Sequence, residues 1–195
     1  LTLEDGRLAV VLGDVTGHGV DATADMAMAK YVFRSLAREH LDPGAFLEAA
    51  NEVVSSEIAL GRFITMVALV FDPVENEVRC ASGGHPPPRL VDPEGRVEAI
   101  SARGLALGID APQTYTTVSC PFPPGSIAVA YTDGVIEARR EGEQFGVERL
   151  DALLSVTCEL APREIAEAAL AACRDWVGGD LADDFAVVVV KRTDG

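Results

Sequence analysis

Apolar positions along the chain fall into two rhythms, continuous short runs and helical repeats. Residues 7–13, "RLAVVLG", form an apolar run of strand length, which suits a strand buried on both faces. "FITMVALVFD" (63–72) and "NEVRCAS" (76–82) also read as strands. Only Pro73 to Glu75 separates them, so they are predicted to form a hairpin. "GGHPPPRLV" is a rigid loop entering a short strand, and "GRVEAI" is another short strand after the turn at Pro93-Glu94-Gly95. "SIAVAYTDG" (126–134) repeats the opening pattern, an apolar strand ending in aspartate and glycine. The chain closes on "ADDFAVVVVKR", where the aspartates precede the strand.

Helical spacing appears between these runs. Met28, Val32 and Leu36, with Ala29 and Phe33 beside them, predict an amphipathic helix over 21–40 with a broad apolar face. Asp42-Pro43 reads as an N-cap and first-turn proline. The helix it opens runs to about residue 59, with Phe46, Ala50, Val53 and Val54 on one side. Two more helices are predicted at 147–156 and 162–177, the second with Ile165, Ala169, Ala172 and Trp176 on one face. Residues 101–125 read as loop-rich. Strands come in groups with paired helices between them, which favours α+β layers over an alternating parallel fold. No repeat, low-complexity tract or linker divides the chain.

Charge narrows the partners. A formal charge of −15 repels nucleic acid and anionic membranes and is compatible with capture of divalent cations. Its plainest meaning is a solubilising shell. No apolar run approaches the roughly 20 residues of a membrane span. Cys80, Cys120, Cys158 and Cys173 form no C-x-x-C pair, so a cytoplasmic, reducing setting is expected.

Asp14, Asp133 and the Asp183-Asp184 pair each sit at the end of an apolar strand. If those strands share a sheet rim, the carboxylates converge, and such crowding calls for a cation or a shared proton. Mg²⁺ and Mn²⁺ prefer this oxygen chemistry. Two such ions can lower the pKa of a water held between them and aim it at phosphorus. Each aspartate taken singly could equally be an N-cap for the next helix.

The ordered set "GDVTGHG" (13–19), "GGHPPP" (83–88), "YTDGVIEAR" (131–139) with "FG" (145–146), and "DD" (183–184) before a final strand resembles the SpoIIE/RsbU-type branch of the protein phosphatase 2C superfamily. "FITMVALVFDP" and "GLALGI" echo that family's central strand and its P-L-G turn. The resemblance covers nearly the whole chain. It implies a four-layer α-β-β-α sandwich, two mainly antiparallel sheets flanked by helix pairs, holding two Mn²⁺ or Mg²⁺ ions. By match, Asp14 bridges both ions, the Val15 carbonyl binds one, and Asp133 and Asp183, with Asp184 beside it, complete the second site. It implies in-line hydrolysis of phosphoserine or phosphothreonine with no covalent enzyme intermediate. The implied substrate is a phosphorylated anti-sigma-factor antagonist in bacterial stress or developmental signalling. A sensor domain or regulatory partner is expected to act on the helices at 21–59.

There are departures. The family carries an aspartate-bearing strand before the first motif, so residues 1–195 are expected to be a single phosphatase domain lacking its first N-terminal strand or strands. Ala186 stands where the family usually has threonine, and "GGH" replaces Ala-Gly-His. The competing function is a catalytically idle regulatory domain of the same fold that binds a partner protein. A hydrolase of small phosphoesters is a third reading.

Other polar residues read more plainly. His18 is a candidate general acid or a support for its turn. His85 reads as a loop anchor hydrogen-bonded to backbone. Glu137 could hold a metal-bound water or pair with Arg139 or Arg140. Lys30 and Arg34 read as solvated, Met26 and Met28 as core or helix-interface residues, and Trp176 as core. The apolar face over 21–40 suits either an internal surface or part of a homodimer contact.

Overall fold

Residues 64–72 offer no wet face, and β2 (Ile64–Asp72) is buried at every position except its second and last. The computed structural model, which describes residues 1–3, 6–16, 30, 33–58, 61–181 and 183–193, places β2 inside a sheet. It lies between β1 (Leu8–Val15) and β3 (Glu77–Gly83), and β6 (Val118–Pro121) follows beyond β3, all antiparallel. The β2–β3 hairpin turns through residues 73–76, where Asp72 Oδ1 accepts from the amides of Val74 and Glu75. Asn76 leaves the turn in the left-handed region, φ 54°.

This sheet belongs to the first of two compact units, Leu1–His85 with Ser101–Pro121. Residues 33–39 are helical (α1), and Pro43–Glu57 form α2. Asp42 caps α2, its Oδ1 accepting from the amides of Gly44 and Ala45. Such a cap contributes about 1 kcal/mol. Ile64, Met66 and Ala68 share one face of β2 and join a core with Phe33, Ala37, Phe46, Leu47 and Val54. Phe33 and Phe46 meet edge to face at 6.1 Å. Most of the helix predicted over 21–40 lies outside the described residues, as do Met26 and Met28.

Two expectations change here. The opening strand was expected over 7–13, buried on both faces. It runs to Val15 and is part-exposed along most of its length, with Val11 36% exposed. An apolar run does not fix how far each face is covered, and among the described residues β1 ladders with β2 and is bridged at Leu8 by Thr2. Residues 1 and 2 lie along its start, where the Leu1 and Ala9 backbones exchange bonds of 2.8 Å. The loop-rich middle, in turn, contains β6 and is firmly held. Asn51 of α2, 1% exposed, donates to the Asp110 carbonyl and accepts from the Gly108 amide.

The second unit comprises Pro86–Ile100 and Phe122–Gly195. Its sheet runs β10 (Val187–Lys191), β7 (Ile127–Tyr131), β4 (Arg89–Val91), β5 (Val97–Ala99), again antiparallel. The helices α3 (Asp133–Ile136), α4 (Gly146–Thr157) and α5 (Pro162–Val177) complete it. Ile165, Ala169 and Cys173 of α5 are buried, with Ala172 and Trp176 packed partly on the same core. Arg89 grips Asp151 with two guanidinium nitrogens, tying β4 to α4.

A two-residue hairpin, β8 (Arg139–Arg140) with β9 (Glu143–Gln144), was not legible in the sequence. Its turn residues Glu141 and Gly142 both have positive φ, 51° and 89°. Arg149 braces it, donating to the Gln144 and Phe145 carbonyls while lying 3.9 Å over the Trp176 ring. The α+β class with mainly antiparallel sheets is what the chain adopts. Among the described residues, no helix is long and apolar enough to cross a membrane.

Candidate active site

Asp14 is fixed by a ladder. It lies one residue inside the end of β1, opposite Thr65 in an eight-residue register that runs from Leu8↔Phe71 to Val15↔Ile64. It is therefore a strand residue and not the cap of a following helix. Gly13 beside it lets the strands close up, because a Cβ there would meet the Thr65 carbonyl at 2.9 Å. Thr16 ends the ladder. Its amide and hydroxyl both donate to the Phe63 carbonyl, and its hydroxyl also accepts from the Phe63 amide. Val15, the carbonyl donor implied by the motif, is the last residue of β1.

Asp133 and the Asp183-Asp184 pair are fixed by a corner. Thr132 ends β7 and is the N-cap residue of α3, with Asp133 as the first helical residue. The capping alternative for Asp133 is thereby removed. The Thr132 side chain caps nothing and instead reaches the segment before β10. Its hydroxyl donates to the Asp184 carbonyl at 2.9 Å and accepts from the Ala186 amide at 2.9 Å. The Thr132 amide donates to the Ala186 carbonyl, extending the β7–β10 ladder by one step.

Gly134 completes the corner. A Cβ on it would lie 2.5 Å from the Asp184 carbonyl oxygen and 3.4 Å from Asp183 Cβ. The glycine of "TDG" is thus the space in which the "DD" segment rests. Asp183 Oδ1 accepts from the Asp184 amide at 2.8 Å, which orients its carboxylate. Asp183 and Asp184 are exposed and Asp133 is half-buried, so all three are open to solvent or a ligand. Burial pushes the phenol of Tyr131, two residues before Asp133, up to about 12. It stays neutral and adds no charge to this corner.

The second unit therefore brings Asp133 together with Asp183 and Asp184, while Asp14 and Val15 belong to the first unit. Among the described residues, neither unit by itself groups three His, Cys, Asp or Glu side chains as a metal site.

His85 is buried, 5% exposed, and its Nδ1 lies 3.0 Å from the Thr65 hydroxyl. It was expected to bond backbone. One ring contact is to this threonine, and the His85 carbonyl accepts from the Ser82 hydroxyl at 3.2 Å. His18 lies outside the described residues. Glu137, Lys30 and Arg34 are exposed, and the Arg140 guanidinium lies 6.0 Å over Trp176. Thr132 and Thr65 were not singled out in the sequence, although each stands next to or opposite a predicted aspartate.

Comparisons with known proteins agree with this arrangement of motifs. "Phosphoserine phosphatase RsbU" of Bacillus subtilis is 27% identical over 184 residues, covering 94% of this chain and 55% of RsbU. The chain thus spans about half the length of that relative. The structure of the RsbU and RsbW domains of Rv1364c from Mycobacterium tuberculosis superposes with a TM-score of 0.86 at 25% identity, covering 99% of this chain and 53% of that one. A more distant neighbour is the catalytic domain of the serine threonine protein phosphatase PstP, solved in complex with two manganese ions. It covers 95% of this chain and 88% of its own, with a TM-score of 0.67 and 18% identity, and shares the protein phosphatase 2C-like fold. Residues 4–193 match the family described as Stage II sporulation protein E, and the chain belongs to that SpoIIE family.

Proposed function

We propose that the chain is a metal-dependent phosphoprotein phosphatase that hydrolyses phosphoserine or phosphothreonine. The observation that carries the reading is the Thr132–Gly134 corner, which seats the Asp183-Asp184 backbone against Asp133. Carboxylates gathered without a cationic partner repel one another unless a cation joins them. The donor set is entirely oxygen, which fits Mn²⁺ or Mg²⁺ and not a softer metal. Membership in the SpoIIE family and likeness to a phosphoserine phosphatase support the same conclusion.

Asp14 and the Val15 carbonyl would be the first unit's metal donors, and Asp133, Asp183 and Asp184 would be the second unit's. Bound there, such a cation would supply positive charge against the phosphoryl oxygens and a water of lowered pKa. The chain's own part is positional. The β1–β2 ladder sets the height of Asp14, and Thr132 sets Asp183 relative to Asp133. The Asp184 amide holds one Asp183 oxygen, which steadies the carboxylate that would bind the cation.

The substrate we assign is a phosphorylated anti-sigma-factor antagonist, handled in the cytoplasm, with a sensor or regulatory partner acting at 21–59. Likeness to the structure of the RsbU and RsbW domains of Rv1364c supports that substrate class.

The test is phosphate release from a phosphoserine protein with and without Mn²⁺. The native chain turns over only with metal, EDTA stops it, and Asp133→Asn loses it. Metal-independent release, or an unimpaired Asp133→Asn, overturns the reading. Turnover of p-nitrophenyl phosphate without turnover of phosphoprotein favours a small-ester hydrolase instead.

A further inference from the structure

Asp14 has a polar row beside it that the proposed chemistry leaves unused. Directly opposed residues of an antiparallel pair point to the same sheet face, with Cβ atoms about 4.5–5.5 Å apart. The register therefore puts the Thr65 side chain beside that of Asp14, on the face opposite Ile64 and Met66. His85 stands next in the row, its Nδ1 3.0 Å from Thr65 Oγ1.

The backbone that carries the imidazole is held in place from several directions. Gly84 turns the chain into it with φ 71°, and a Cβ there would meet the Ala106 Cβ at 3.0 Å. Gly84 also bridges to Met66 of β2, and its amide donates to the Gly104 carbonyl at 2.8 Å. The Ser82 hydroxyl holds the His85 carbonyl, and prolines 86–88 follow at once. The ring is buried on this anchored backbone, and its Nδ1 meets Thr65 from the side away from Asp14 in the row.

We propose that Thr65 and His85 are positioning residues for Asp14. Donation from His85 Nδ1–H to Thr65 Oγ1 leaves the threonine proton for the carboxylate across the ladder, since a hydroxyl has one proton and two lone pairs. Asp14 is then presented to a divalent cation in one orientation. Outer partners of metal-ligating carboxylates act in this way, and their loss costs roughly 10–100-fold in metal affinity. Neither residue touches the reacting atoms. The inference rests on Asp14 being a metal ligand, as proposed above.

The experiment is a Mn²⁺ titration of the metal-free chain, following free Mn²⁺ by electron paramagnetic resonance, with melting curves alongside. Thr65→Val keeps a strand-favouring shape and removes only the hydroxyl. It should weaken Mn²⁺ binding about 10-fold or more, with Thr65→Ser restoring most of the loss and His85→Gln falling between. With a phosphoserine peptide at subsaturating metal, kcat should fall and KM should hold. Wild-type Mn²⁺ affinity in a folded Thr65→Val overturns the inference, as does a folded Thr65→Ser no better than Thr65→Val. A native chain that binds no Mn²⁺ overturns the functional reading itself, a result distinct from either.

Discussion

The two aspartate-bearing regions are built on opposite principles. In the first unit, Asp14 takes its position from eight successive cross-strand pairs, so no single contact decides where it lies. In the second, one hydroxyl and one missing side chain decide how Asp183 and Asp184 stand against Asp133. A ladder distributes the work, and a corner concentrates it. Point changes should therefore be unequal in effect, severe at the corner and mild along the ladder.

The largest effect is expected from Gly134→Ala. The new Cβ would be 2.5 Å from the Asp184 carbonyl oxygen, a backbone atom that moves only if the segment before β10 moves. Overpacking of this kind costs about 1–3 kcal/mol. Thermal melts should show that loss, and Mn²⁺-dependent phosphate release should fall to background. Retained activity would mean that Asp183 is not needed where it stands.

Thr132→Val comes next. It removes the hydroxyl that serves both the Asp184 carbonyl and the Ala186 amide, leaving both without that partner. Orphaning such groups costs about 1–3 kcal/mol. Activity should drop more steeply than stability, and Thr132→Ser should recover both. Equal losses of the two in every variant would reduce Thr132 to a fold contact.

Gly13→Ala should be the mildest of the three. Its Cβ would meet the Thr65 carbonyl at 2.9 Å and the mobile end of Met66 at 3.2 Å. The eight paired positions of β1 can share a shift of tenths of an ångström. A loss of about 1 kcal/mol in a denaturant midpoint series, with most of the activity kept, sharpens the contrast. A collapse as deep as that of Gly134→Ala would erase it.

The sequence carried much of the fold because its strong signals are local. Asp72-Pro73 between two apolar runs announced the β2–β3 hairpin, and Asp42-Pro43 announced α2. β6 escaped because it is four residues long, alternates in burial and ends in proline, so it reads as loop. The β8–β9 hairpin escaped because two-residue strands have no period to detect. The partial exposure of β1 is set by what packs on it, which an apolar run does not encode.

At the site, residue type was legible and geometry was not. Asp14, Asp133, Asp183 and Asp184 stand out as carboxylates at strand ends. The role of Thr132 depends on a hydroxyl reaching a segment more than fifty residues away, from Thr132 to Asp184, which no spacing rule reports. A question that could have found it is what satisfies the backbone around "DDFA", where Ala186 brings no hydroxyl of its own. Thr65 was hidden in the same way, since only strand register sets it opposite Asp14.

The guanidinium of Arg149 lying on Trp176 gives the molecule a built-in optical probe. The chain has one tryptophan, and it sits in the second unit, against α4 and the β8–β9 turn. Indole emission therefore reads the loosening of that unit alone, while far-ultraviolet dichroism reads both. Superimposable traces from the two signals would show the halves melting in concert; separated traces would reveal which one surrenders first.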